Sequence, residues 1–147
     1  MRVIVQRSLN SSVIVDSKIV GSIDKGLVLL VGFNHNDTIS DINYCINKII
    51  NLRIFNDENG NMNKSIKEIN GKILSISQFT LYGDVKKGNR PSFIEAMKYD
   101  EAFNMYNLFN QELKKQVEVQ TGIFGADMKV NISNDGPVTI ILESVKK

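Results

Sequence analysis

Apolar and polar residues alternate through the first third of the chain, with Val3 and Val5 on one side of an extended segment and Val13 and Val15 on one side of the next. Asp16-Ser17 has turn chemistry, and Lys18–Ile23 follows it as a further strand. Residues 27–31 are apolar at every position, the pattern of a central strand covered on both faces. The pattern predicts an opening β-meander. Thr38 and Asp41 then stand at capping-box spacing ahead of Ile42, Cys45, Ile46, Ile49 and Ile50, which form one stripe of a helix that packs on a sheet.

Beyond that helix, Arg53-Ile54-Phe55 reads as a short strand ending in a turn over 56–60, and Asn70-Gly71 as the turn before a strand over 72–81. A second helix, capped near Asp100, buries Ala102, Phe103, Tyr106, Phe109 and Leu113. Strands over 117–120, 128–132 and 138–142 close the chain, the last after Gly136-Pro137. No repeat or linker interrupts the series. The expected fold is therefore α/β, a single domain over residues 1–147 with two β layers and one helical layer, ordered as a β-meander, β-α, β-α and three closing strands.

Composition narrows the class. At 42% hydrophobic and 23% charged, a chain of 147 residues has the balance of an ordinary globular protein with one core. Cys45 is the lone cysteine and excludes an internal disulfide, and the first segment is too short and too charged for a signal peptide. A cytoplasmic location is expected. The longest apolar run falls far short of the ~20 residues that cross a bilayer, so no membrane association is expected. A net charge of +2 is too small to drive sequence-blind nucleic-acid binding, yet it permits a local basic patch.

One histidine and one cysteine cannot assemble a zinc cluster, a Cys-His dyad or an HExxH helix, and no phosphate-binding glycine motif is present. Neither a metal nor another cofactor is expected. His35 sits in a polar loop and is read as solvated, and Cys45 as a small buried thiol. Chemistry must come from hydroxyls, amides and backbone.

Three segments present such groups. In residues 75–84, alternation puts Ile76, Gln78 and Thr80 on one face and Ser77, Phe79 and Leu81 on the other, so Gln78 and Thr80 point together. An edge strand with a polar side would look the same. Lys86, Lys87 and Arg90 crowd the next loop, which is either solvated or a grip for phosphates. Asn134-Asp135-Gly136-Pro137 separates two strands and, on turn chemistry alone, is a hairpin turn.

Together these segments resemble the D-aminoacyl-tRNA deacylase family, which carries Ser-Gln-Phe-Thr-Leu and Gly-Pro-Val-Thr motifs; here they stand as Ser77 to Leu81 and Gly136 to Thr139. The resemblance spans the chain, through MRVIVQRSLNSSVIVD, VGSIDKGLVLLVG, Arg90-Pro91-Ser92-Phe93, and Phe124-Gly125-Ala126 with Met128. Tyr99, where many relatives have proline, and Val85 depart from the pattern. The resemblance implies hydrolysis of the ester joining a D-amino acid or glycine to the 3′ end of tRNA, with L-aminoacyl-tRNA rejected. It implies a homodimer in which Gly136 and Pro137, joined by a cis bond, reach into the partner's active site as a chirality filter supported by Arg7. Ser77, Gln78, Phe79 and Thr80 would then line the catalytic pocket for the ester and terminal adenosine, Met128 would contact substrate, and Lys86, Lys87 and Arg90 would contact tRNA. The partner implied is the tRNA acceptor end, not DNA.

Ser77 and Thr80 are hydroxyl nucleophiles without an evident base in these motifs, so assistance by the substrate's own ribose 2′-hydroxyl is the expected mechanism. Two other readings remain open: a non-catalytic tRNA-binding module, and a hydrolase of free D-amino acid esters.

Overall fold

The computed structural model describes residues 1–144. Its elements in chain order are β1 (Arg2–Ser8), β2 (Ser11–Val15), β3 (Lys18–Ile23), β4 (Gly26–Gly32), α1 (Ile39–Asn51), β5 (Phe55–Asn56), β6 (Met62–Lys64) and β7 (Lys72–Ser77). A 3₁₀ turn (Phe79–Tyr82), α2 (Tyr99–Lys114), β8 (Glu118–Thr121), β9 (Lys129–Asn131) and β10 (Asn134–Glu143) complete it. The central sheet has the order β10-β1-β4-β7-β8; a second sheet has the order β3-β2-β9, and β5 and β6 form a separate ribbon.

β4 is the middle strand, antiparallel to β1 and parallel to β7. A parallel pair needs a crossover, and the connection between β4 and β7 contains α1. The period of two along β4 serves two cores. Leu27, Leu29 and Val31 meet Val3, Val5 and Ile73, together with Ile42 and Ile49 of α1 and Phe109 and Leu113 of α2. Val28 points the other way, into a smaller core with Val13, Ile23, Leu74 and Ile76 between the two sheets. The result is the expected α/β fold of two β layers and one helical layer.

The opening strands come in the expected order, with their pairing divided between the sheets. β2 and β3 close a hairpin at Asp16 and Ser17, whose φ values of 49° and 65° are those a primed two-residue turn requires. β1 bypasses that hairpin and pairs with β4. At the start of α1 the Asp41 carboxylate accepts the Thr38 N–H at 2.8 Å, the reciprocal half of a capping box. Ile42, Cys45, Ile46 and Ile49 are buried on the helix's inner stripe.

Four local expectations are corrected. Arg53 and Ile54 precede β5 instead of belonging to it, because the Arg53 side chain bonds the Asn63 carbonyl and the Ile54 carbonyl accepts from Arg7. The strand expected over 72–81 stops at Ser77 and curls into the 3₁₀ turn. Phe103 is 42% exposed on the flank of α2 instead of buried in its core. Asn134 to Pro137 is no hairpin turn but the beginning of β10. Between the pairs Ser8–Asn134 and Gln6–Thr139, β10 advances five residues while β1 advances two, so Gly136 and Pro137 ride on a broad bulge.

The β4–β7 pair depends on one close approach. A Cβ on Gly26 would stand 1.8 Å from the Lys72 carbonyl oxygen, and its φ of +150° is itself disfavoured for an L residue. Gly26→Ala should therefore lower stability by about 3 kcal/mol or more. Gly88→Ala, which meets nothing within 4 Å, should leave it unchanged. Urea unfolding of both variants checks this, and equal midpoints would refute it.

Candidate active site

The last rung between β4 and β7 is Val31–Ser77, and the next amide, Gln78 N–H, still donates to the Val31 carbonyl at 2.7 Å. Gln78 then leaves the strand direction (φ −148°, ψ 80°), and the Leu81 N–H returns to the Gln78 carbonyl at 3.3 Å. The turn brings the Gln78 side-chain amide onto the Thr80 hydroxyl as a donor. The juxtaposition read from strand alternation thus exists, produced by a tight turn. Among the described residues the Thr80 hydroxyl has the Gln78 amide as its only hydrogen-bond partner in this turn, with no base beside it.

Ser77, Gln78 and Phe79 form one wall of a cleft of about 520 Å³. The start of α2 and its approach supply Met97, Tyr99 and Ala102, and the segment before β9 supplies Phe124, Gly125, Ala126 and Met128. Phe124 is the hub of the apolar wall: Tyr99 and Phe103 pack edge-on at 5.0 and 5.4 Å, and Tyr106 lies tilted at 5.7 Å. This contact holds Phe103 at the surface. Gly125 has φ +78°, and a Cβ there would lie 2.5 Å from the Tyr99 hydroxyl, so glycine permits the ring to close the wall. Beneath the cleft, Tyr106 donates to the fully buried Ser75 carbonyl at 2.6 Å. Burial holds the Tyr106 phenol above its ordinary pKa, which keeps the donor protonated.

Of the residues singled out from the sequence, Ser77, Gln78, Phe79 and Met128 come together at this cleft. Thr80 accepts from the Gln78 amide and does not line the cleft. Met97, Tyr99, Ala102 and Phe124 were not singled out as site residues. Tyr99 and Phe124 carried a signal, the first as a departure and the second as a motif, but neither marks a cleft by itself.

Lys86, Lys87 and Arg90 are exposed on a loop closed by paired bonds between Asp84 and Ser92, at 2.8 and 2.9 Å. Among the described residues none of the three makes an ion pair. Lys87 and Arg90 line a second cavity of about 460 Å³ beside the loop. His35 lies near Glu95 at 3.2 Å on the surface, in keeping with a solvated histidine.

Arg7, Gly136 and Pro137 form a separate cluster. Arg7 is only 8% exposed; its Nη1 donates to the Ile54 carbonyl at 2.9 Å, and its Nε to the Asp135 carbonyl at 3.2 Å. The Gly136–Pro137 bond is cis, and Gly136 has φ +124°. At the base of the bulge, Asn134 Nδ2 donates to the carbonyls of Arg7 and Val138, each at 3.0 Å. Ser8 pairs with Gly26, at the Lys72 end of β7, whereas Ser77 lies at its other end. Five strand residues correspond to roughly 17 Å, so the bulge and the cleft lie at opposite ends of the same sheet.

A strand-end cleft bordered by an amide and hydroxyls, with a cationic loop following the segment that forms its wall, fits the class of carboxylic-ester hydrolases. Residues 4–143 match the family model described as D-Tyr-tRNA(Tyr) deacylase. The chain belongs to that family. It is 58% identical over 147 residues to a D-aminoacyl-tRNA deacylase of Clostridium botulinum, covering 99% of each chain. A Clostridium acetobutylicum protein of the same description is 55% identical, again with 99% of each covered. A solved structure described as c-Myc DNA Unwinding Element Binding Protein superposes with TM-score 0.94 at 41% identity, covering 99% of this chain and 100% of that one. A probable eukaryotic D-amino acid tRNA deacylase shares the fold, with TM-score 0.78 at 18% identity over 97% and 98%.

The Arg7 geometry has a measurable consequence. Arg7→Met would leave the Ile54 carbonyl without its buried donor and release the bulge, lowering stability by about 2 kcal/mol. Arg7→Lys, a single point donor, should recover only part of that loss. Thermal and urea unfolding of the two variants measure it, and a fully stable Arg7→Met would show that the guanidinium is dispensable.

Proposed function

We propose that this protein hydrolyses the ester between a D-amino acid or glycine and the terminal ribose of tRNA, and rejects L-aminoacyl-tRNA. The observation that carries the reading is the Ser77–Gln78–Phe79 turn at the wall of an apolar cleft, in a chain of this family. The aromatic and Met128 side of the cleft takes the terminal adenosine, and the ester lies against the Gln78 amide and the backbone amides near Phe79, which stabilise the oxyanion. Because the Thr80 hydroxyl is bonded to an amide and to no base among the described residues, the attacking group is water assisted by the ribose 2′-hydroxyl. Lys86, Lys87 and Arg90 meet tRNA phosphates. The working compartment is the cytoplasm.

The active unit in this reading is a homodimer. Within one chain the bulge and cleft are too far apart to share a substrate, whereas a second copy can bring its Gly136–Pro137 bulge to the first copy's cleft. An unpaired β10 edge and the exposed Ile140 and Ile141 favour such an association. A bare glycine backbone, held by Arg7 and Asn134, then meets the substrate α-carbon, where a D side chain points outward and an L side chain collides with main chain. Glycine passes for lack of a side chain.

Four experiments test this. Matched D-, L- and glycyl-tRNA should give rapid cleavage of the first and third only, and Thr80→Ala should retain far more activity than the roughly 10⁶-fold loss that follows removal of a true nucleophile. A trapped acyl-Thr80 would refute substrate assistance. Gln78→Ala and Gly136→Val, each expected to be inactive alone, should regain about a quarter of wild-type activity when mixed, because half the dimers are mixed and each carries one intact composite site. No recovery would mean that both elements act within one and the same chain, or exclude the dimer. Duplex DNA added as competitor should not inhibit; inhibition would show that the protein also binds DNA.

A further inference from the structure

Two cavities flank one aromatic pair. Phe79 belongs to the wall of the main cleft, while Ser92 and Ile94, on either side of Phe93, line the cavity beside the cationic loop. Phe79 and Phe93 touch edge to face, with centroids 5.1 Å apart and planes at 64°. Both rings are partly solvent-facing, 57% and 38% exposed, and Ile94 beside them is 81% exposed. Large apolar groups gathered at a surface mark contact sites.

The pair is fixed in place. A Cβ on Gly83 would lie 3.0 Å from the Phe93 ring, so glycine lets the ring settle against the backbone. The Asp84–Ser92 bonds clamp the loop just before Phe93, and the Ala96 N–H returns to the Phe93 carbonyl at 3.1 Å. Exposed aromatic rings between a cationic loop and a cleft combine the two means by which proteins hold single-stranded nucleic acid, stacking on bases and attraction for phosphates. Among the described residues Lys87 and Arg90 have no ion-pair partner and can make that attraction; of the two carboxylates lining the same cavity, Asp84 accepts the Lys86 N–H at 2.9 Å and Glu95 lies 3.2 Å from His35.

We propose that Phe93, braced by Phe79, stacks the base of the nucleotide preceding the terminal adenosine, so that the single-stranded 3′ tail runs from the cationic loop across the aromatic pair into the cleft. The proposal rests on the tRNA-ester reading and adds a second nucleotide site to it. Phe93 is a positioning residue here, since it touches RNA away from the ester.

Three substrates separate the roles: D-tyrosyl-adenosine, D-tyrosyl-CpA and D-tyrosyl-tRNA. Phe93→Ala should raise KM roughly tenfold for the dinucleotide and tRNA esters, the worth of one base stack, and leave kcat and the adenosine ester unchanged. Phe93→Tyr should restore the wild-type KM. An equal defect on the adenosine ester, or no defect on any, would overturn the proposal. So would a change in molar mass by sedimentation, which would mean that a second copy covers the pair. Unesterified CpA gives a readout independent of turnover, because wild type should bind it more tightly than adenosine in NMR titration and Phe93→Ala should not. If that preference holds while no ester is cleaved, the stacking site stands and the hydrolase reading falls; if the preference is absent, the stacking site falls even where esters are cleaved.

Discussion

The parallel pairing of Gly26–Gly32 with Lys72–Ser77 is the constraint on which the other features depend. Both ends of the middle strand are glycine for the same physical reason. At one end Gly26 lies against the Lys72 backbone; at the other a Cβ on Gly32 would stand 2.9 Å from the Gln78 carbonyl oxygen. Backbones that approach so closely permit no slip of register, because a shift by one residue would place a side chain where only hydrogen fits. The point at which β7 ceases to be a strand, and with it the location of Gln78, is fixed by this contact rather than by anything in the cleft.

Elements whose periodicity is local were legible in the sequence. Val3, Val5, Val13 and the apolar run 27–31 lie where alternation puts them, and the Ile42–Ile49 stripe faces the core because a helix with that spacing has one apolar side. What stayed hidden was non-local or shared by two structures. Asp135-Gly136-Pro137 has the same chemistry in a hairpin turn as in a bulge, since both need a positive φ, and only the pairing with Ser8 and Gln6 distinguishes them. Ile76-Gln78-Thr80 keeps its alternating pattern after the backbone has curled away. Phe103 continues the apolar stripe of α2, yet its partner is Phe124, a residue from a distant segment that no periodicity connects to it.

The same limit applies to the candidate site. Gln78 and Ser77 could be singled out as polar residues where aliphatics belong, but much of the apolar half of the cleft, Met97, Tyr99, Ala102 and Phe124 beside Met128, is ordinary in composition. Their place in a cleft comes from tertiary position. Arg7 is the reverse case, a cation that continues the inward face of Val3 and Val5 and is satisfied by carbonyls from two different segments. A buried guanidinium is tolerable only when such acceptors are in place.

β1 is the second strand from the edge of the central sheet, and its outer neighbour is β10; Arg2 faces Glu143 across the chain, 141 residues apart. On a ribosome, at about 5–20 residues per second, β1 waits on the order of ten seconds for that neighbour. During this time one flank of the nascent sheet is an open row of hydrogen-bonding groups beside Ile4 and Val5. Order of synthesis thus imposes a hazard that the finished fold conceals: the strand made first is the last to be protected, and the growing chain must avoid pairing with its neighbours on the same message until its final strand emerges.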